Sequence, residues 1–107
     1  MNYARRYFGL TVIGDRMYAS GGQNDFEYEN SVESFSPGTG WIIEEQMRMP
    51  QYRLMHCSVA LGTKLVVIGG RVNSPSAESP SVQAFDTSLT ELNSTASWVA
   101  LKNLIHP

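Results

Sequence analysis

The chain has little of the residue chemistry on which many functions depend. Its 107 residues include one cysteine, Cys57, and two histidines. A single cysteine cannot form an internal disulfide, which excludes a disulfide-stabilised scaffold and favours a reducing, cytoplasmic location. So few cysteines and histidines also provide no zinc-ligand spacing. We therefore expect no metal site and no other cofactor.

Charge of one sign is nowhere concentrated. Eight basic and ten acidic side chains give a net charge of −2, and no block of one sign occurs. Nucleic acids and anionic membranes are bound through basic patches, so neither is an expected partner. The longest strongly apolar run, residues 65–68, is far below the roughly 20 residues of a transmembrane helix. The first residues lead into no signal-peptide core, and we expect no membrane association.

What the chain does contain is an internal repeat. A Gly-Gly pair recurs after 48 residues, and an arginine recurs at the same offset. Self-similarity at such a period is the signature of a repeat architecture. We predict two units, residues 3–50 and 51–107. The anchors of the alignment are Arg5 and Arg53, Gly21-Gly22 and Gly69-Gly70, Phe35 and Phe85, and Trp41 and Trp98.

Each unit contains four short candidate strands separated by turn residues. Gly14-Asp15 and Gly62-Thr63 are tight connections between the first two strands of the units. Only residues 43–49 have a brief helical composition, which Pro50 would end. We predict an all-β fold with two four-stranded antiparallel sheets. The predicted strands are residues 7–13, 16–20, 31–36 and 41–45 in the first unit, and 55–61, 64–69, 81–86 and 97–101 in the second.

The repeated residues have a structural character. A glycine pair that ends an apolar strand permits a positive φ or a close approach of another backbone segment. Large aromatics at one phase of each unit interlock adjacent sheets, so the four repeated aromatic residues are predicted to be core. Arg5 and Arg53 are predicted to tie a loop to the sheet through their five donors.

The combined pattern resembles the kelch repeat of β-propellers. The second unit carries it most fully, in Met49-Pro50, Arg53, His56, residues 64–70, Phe85-Asp86 and Trp98. The resemblance implies that each unit forms one propeller blade. Propellers close with four to eight blades. Two blades therefore imply a partial propeller completed by a longer chain, or a ring closed by oligomerisation, such as three copies with six blades.

The loops after the glycine pairs are the candidate binding segments, because loops on a rigid scaffold commonly carry function. In kelch-type substrate adaptors these loops form the partner-binding face, and Arg71 and Asn73 resemble residues that hold an acidic peptide. Solvated turn residues are the alternative for these two. Phe26 and Tyr28 are expected either to contact a partner or to fold back over a neighbouring blade. The candidate partner-binding residues are Gln23, Asn24, Phe26, Tyr28, Arg71 and Asn73.

Catalytic chemistry is not indicated. His56 and Cys57 are adjacent on a strand and point to opposite faces, and a lone cysteine in an apolar strand is expected to be buried. The carboxylates form no pair that would face one cleft. The resemblance implies a non-enzymatic protein-interaction module, such as a substrate adaptor of a cullin-type ubiquitin ligase. A kelch-type enzyme, a carbohydrate-binding propeller and an actin-binding protein are the alternatives.

Overall fold

The computed structural model describes residues 1–72, 82–89 and 97–100. These residues form two four-stranded antiparallel sheets, which confirms the all-β prediction. The first sheet comprises β1 (Gly9–Ile13), β2 (Arg16–Ser20), β3 (Val32–Ser36) and β4 (Gly40–Ile43), in that order, and a 3-10 turn at Glu45–Met47 follows it. Gly14, at a φ of 63°, makes the tight connection between β1 and β2.

The second sheet repeats this arrangement. It is preceded by β5 (Arg53–Leu54) and built from β6 (Cys57–Leu61), β7 (Lys64–Ile68), β9 (Val82–Asp86) and β10 (Val99–Ala100), while β8 (Arg71–Val72) pairs with β5. A second 3-10 turn occupies Thr87–Leu89. The strand pair β5–β8 was absent from the prediction because two-residue strands leave no periodicity to detect.

The first strand of each sheet begins two residues later than predicted. Tyr7 and Met55, which stand at the same position of the two repeats, have left-handed φ values of 59° and 55°. This conformation interrupts an extended chain, so β1 and β6 begin only after it. The fourth strands also differ from the prediction: β4 ends at Ile43, two residues before the 3-10 turn begins, and β10 begins at Val99 rather than at residue 97. Residue 101 lies outside the described part of the chain.

The two sheets stack face to face around one main core. Tyr18 and Val32 of the first sheet meet buried side chains of the second sheet and of the connection between the sheets. Trp98 packs against this core, lies 5.6 Å from the Phe85 ring and donates a 2.7 Å hydrogen bond from Nε1 to the Met47 carbonyl. The other members of the core are Met47, Met49, Leu65, Val67 and Phe85.

The corresponding aromatics of the first sheet are less buried than predicted. Phe35 and Trp41 are also in contact, with ring centroids 5.2 Å apart, but both are only half-buried. Strand alternation places Phe35 opposite to Val32, on the face that points away from the second sheet. Among the described residues no second sheet packs on that face, which is why Phe85 is fully buried in the second repeat and Phe35 only half-buried in the first. Trp98, like Trp41, is partly buried, so the prediction that all four aromatics are core holds fully only for Phe85.

Candidate partner-binding face

Four short segments at one end of the two sheets are joined by backbone hydrogen bonds. Arg6 and Gln23 exchange both bonds, at 2.9 and 3.0 Å, and Leu54 pairs with Arg71 at the equivalent place of the second repeat. Three further bonds among the described residues cross between the repeats: Gly22 N donates to Arg53 O at 2.8 Å, Met55 N donates to Tyr7 O at 2.8 Å, and Arg53 N donates to Glu29 O at 3.4 Å. The segments therefore present one continuous, rigid surface, which we call the loop face.

Glycine is required where these segments cross. Gly22 and Gly70 have φ values of 93° and 84°. A Cβ on Gly22 would lie 2.7 Å from the Arg6 carbonyl oxygen, and one on Gly70 would lie 2.5 Å from the Leu54 carbonyl oxygen. Because Arg6 and Leu54 are equivalent in the repeat, the same close approach is made twice, and any side chain would force the segments apart.

Two buried arginines fasten the loop face to the sheets. Arg5 donates to the Gly21 carbonyl at 2.8 Å, to Ser31, and to Glu33 Oε2 at 2.7 Å. Arg53 donates to the Gly69 carbonyl at 2.6 Å and to Gln83 Oε1 at 2.9 Å. Both side chains therefore bind the carbonyl of the first glycine of their pair and one polar residue of the third strand.

Glu33 is a buried acid that sequence reasoning did not single out. Burial favours its neutral form, but hydrogen bonds from Arg5 and from the backbone N–H groups of Asn2 and Tyr3 outweigh this, and the pKa of Glu33 is lowered. Arg53 faces the neutral Gln83, and burial lowers the pKa of its guanidinium. One signal in the sequence could have revealed this buried polar position. Glu33 and Gln83 are polar residues that directly follow the first valine of the third strand in each repeat.

The first loop after a glycine pair folds into a small rigid hairpin. Gln23 is bridged to Tyr28, and Asn24 N donates to Glu27 O at 2.9 Å. The Asn24 side chain caps the turn, because its Oδ1 accepts hydrogen bonds from the backbone N–H groups of Phe26 and Glu27 at 2.8 and 2.9 Å. The predicted binding residues Gln23 and Asn24 thus build the loop and set its shape.

The tip of this loop carries an aromatic side chain in solvent. Phe26 is 95% exposed, and Tyr28 is 44% exposed. Phe26 does not fold back over the second repeat. Arg6 and Asp25 form an exposed 3.0 Å ion pair beside the tip and line a small cleft of about 130 Å³ with Gln23 and Asn24.

The second loop is described only at its start. Arg71 lies on β8, is exposed, and stands at the repeat position of Gln23 on the loop face. Asn73 lies outside the described residues. The acidic-peptide hypothesis for Arg71 and Asn73 therefore stays a prediction, with Arg71 on the same face as the Phe26 loop.

His56 and Cys57 lie in contrasting environments. His56 is buried, and its Nε2 lies 2.9 Å from Ser20 Oγ. Burial and the positive charge of Arg53 lower the pKa of His56 to about 4, so the ring is neutral at pH 7. Cys57 is exposed, not buried, because it lies on the side of β6 that points away from the first sheet.

A larger cleft lies where the two sheets meet near the β4 end. It has a volume of about 390 Å³, and its lining includes Arg16, Tyr18, Glu44, Glu45 and Thr87. Both carboxylates are already engaged: Glu44 accepts a 2.6 Å hydrogen bond from Ser34, and Glu45 pairs with Arg48. Within the described residues, no group of three or more His, Cys, Asp or Glu side chains is arranged to hold a metal ion.

Comparison with protein families agrees with the repeated architecture. The family model described as the kelch motif matches residues 4–40 and 52–104. The chain belongs to the kelch family. The two kelch matches cover β1 to β3 of the first sheet, the strands of the second sheet and the segments of the loop face. A search of curated proteins finds no match to the chain. No helix in the described ranges is long and apolar enough to cross a membrane.

Proposed function

We propose that this kelch chain is a non-enzymatic protein-binding module whose loop face takes its partner through Phe26. Kelch repeats commonly mediate protein–protein interactions. The observation that carries the proposal is the 95% exposure of Phe26 at the tip of a hydrogen-bonded loop. Aromatic side chains are enriched at protein interfaces and supply much of the binding energy there.

The rigidity of the loop supports this role. Phe26 is held by the Asn24 cap, by the Gln23–Tyr28 bridge and by the hydrogen bonds that tie Gln23 to Arg6. A loop that is ordered before binding loses little conformational entropy when a partner docks. Phe26 can therefore enter an apolar pocket of the partner without the cost of first ordering its own backbone.

The charges around Phe26 define the rim of the proposed contact. Asp25 and Glu27 are exposed beside the tip, and Arg6 and Arg71 lie on the same face. The partner that fits is a folded protein with an apolar pocket and a polar rim of both signs. An acidic segment of that partner would contact Arg71. The acidic-peptide hypothesis therefore involves the same loop face as Phe26.

The biological setting is also a proposal. A cytoplasmic substrate adaptor of a cullin-type ubiquitin ligase is the kelch-family role that matches a protein-binding face without catalytic groups. An enzyme would need chemistry that converges on one cleft, and the carboxylates of the larger cleft are instead bound to Ser34 and Arg48.

Selection of binders from a displayed protein library on the purified chain tests the proposal. We expect the enriched binders to lose at least about fivefold in affinity on the variant Phe26→Ala, since an interface anchor costs more than about 1 kcal/mol when truncated. Ile42→Ala, at a 38% exposed position of β4, is the matched control and should bind normally. Binders insensitive to both Phe26→Ala and Arg71→Glu would show that the partner site lies elsewhere.

A further inference from the structure

The contact between the first strands of the two sheets is formed by small and polar residues. Strand β1 packs beside β6, where Thr11 Oγ1 and Ser58 Oγ are hydrogen-bonded. Gly9 comes so close to β6 that a Cβ on it would lie 2.9 Å from the Ser58 Cβ. The buried Ser20–His56 hydrogen bond lies next to this contact.

The outer sides of the same two strands are apolar and exposed. Alternation along β1 turns Leu10 and Val12 away from β6, and they are 52% and 57% exposed. Alternation along β6 turns Val59 and Leu61 away from β1, and they are 45% and 61% exposed. The two-sheet stack therefore carries one apolar row on each of its two outer sides.

The repeat relates these two rows to the contact inside the chain. The offset of 48 residues carries Ser58 back to Leu10 and Thr11 forward to Val59. Suppose that a second copy is placed by the same rotation and translation that relates the first sheet to the second. Leu10 of the second copy then contacts Val59 of the first copy, in the position that the Ser58–Thr11 contact occupies inside one chain. The polar pair inside the chain becomes an apolar pair between copies.

A second pair follows the same rule. The offset carries His56 back to Phe8 and Ser20 forward to Ile68. The buried Ser20–His56 hydrogen bond is thus replaced between copies by a contact of Ile68 with Phe8, two residues that are half-buried in the single chain. Likewise Met1, which is 46% exposed, stands at the repeat position of Met49, which the internal contact buries to 2% exposure.

We propose that the partner of these rows is a second copy of the chain, docked head to tail with β6 of one copy against β1 of the next. Burying four exposed Leu and Val side chains provides the driving force. The two surfaces are different, so the contact is heterologous and closes into a ring when the rotation permits. Rings of four to eight blades correspond to two to four copies.

The first measurement is the solution mass of the chain by light scattering after size-exclusion chromatography. We expect one discrete species of two, three or four copies. Leu10→Asp and Val59→Asp each remove one of the two surfaces at an exposed position, so each variant should be a monomer with an unchanged circular dichroism spectrum. Leu61→Asp provides a second variant of the β6 row should Val59→Asp fail to fold. Phe26→Ala is the control and should keep the mass of the unmodified chain.

Mixing the two charged variants tests the direction of docking. A Leu10→Asp chain keeps its β6 row, and a Val59→Asp chain keeps its β1 row, so an equal mixture should form a 1:1 complex that cannot grow further. A monomeric unmodified chain, polydisperse aggregates, or a mixture that stays monomeric would each overturn the proposal. These outcomes do not depend on Phe26, so failure here is separate from failure of the proposed partner-binding function.

Discussion

Arg5 and Arg53 hold the same position in the two repeats but bind acceptors of different charge. Arg5 meets the carboxylate of Glu33 at 2.7 Å, whereas Arg53 meets the amide oxygen of Gln83 at 2.9 Å. The first repeat therefore balances the buried cation with a buried anion, whereas the two acceptors described for Arg53, the Gly69 carbonyl and the Gln83 amide oxygen, are neutral. A matched pair of substitutions can separate the role of the charge from that of the hydrogen bond.

Glu33→Gln is expected to lower the free energy of unfolding by about 3 kcal/mol, because it leaves Arg5 buried without its anion and gives the Asn2 and Tyr3 amides one acceptor fewer. The reverse change, Gln83→Glu, should raise it by about 1 kcal/mol, since a charge-assisted hydrogen bond replaces a neutral one. Urea denaturation at pH 7 measures both. Equal effects of the same sign would show that the charge has no part.

The buried His56 predicts a pH dependence of stability. Its pKa is about 4 when folded and about 6.5 when unfolded, so the unfolded state takes up the proton first. Its contribution is fully present above pH 6.5 and is lost as pH falls towards 4. Between pH 6.5 and pH 4.5 we expect a loss of about 2 kcal/mol or more. His56→Gln should flatten this slope in denaturation curves, and an unchanged slope would contradict the assignment.

Two glycines with positive φ predict very different costs for alanine. A Cβ on Gly14, where φ is 63°, would meet no atom within 4 Å, so Gly14→Ala should cost about 1 kcal/mol for the left-handed backbone alone. Gly22→Ala adds a collision with the Arg6 carbonyl and should cost about 3 kcal/mol or more. Thermal denaturation compares them, and similar shifts would show that the crossing of the segments is not tight.

Replacing Met55 by glycine should leave the free energy of unfolding nearly unchanged, although the same replacement at the neighbouring Leu54 should lower it strongly. Its φ of 55° is unfavourable for a side chain, so Met55→Gly relieves strain while adding unfolded-state entropy, and the net change should stay within about 0.5 kcal/mol. Leu54→Gly, next to it but 2% exposed, should cost about 3 kcal/mol or more. A large loss for Met55→Gly would show that the exposed side chain itself stabilises the fold.

The strand order and the repeat were predictable because their signals are local. Glycine pairs, tight Gly-containing turns and alternating apolar residues lie within each unit, and their recurrence reinforces them. The starts of β1 and β6 were missed because Tyr7 and Met55 adopt a conformation that neither residue type favours. No residue pattern next to Tyr7 or Met55 indicates that its backbone adopts a left-handed conformation.

The details of the site depended on contacts between distant residues. Glu33 is held by the backbone of Asn2 and Tyr3, about thirty positions earlier, so its burial cannot be read from strand alternation. The exposure of Cys57 depends on which side of β6 the first sheet covers. By contrast, the loop that contains Gln23, Asn24, Phe26 and Tyr28 was predictable because a polar, turn-forming segment with two aromatics is visible in the sequence alone. The role of these residues in binding stays a prediction.

The hydrogen bond from Trp98 to the Met47 carbonyl joins residues 51 positions apart. Strands β1 to β4 pair with near neighbours and can form early, but Met47 and Met49 become buried only when the second sheet is in place. Contacts of such long sequence separation slow folding. During synthesis the apolar side chains of Met47 and Met49 therefore stay exposed until the ribosome has added residues as late as Trp98. The partly synthesised chain is most prone to aggregation during this interval.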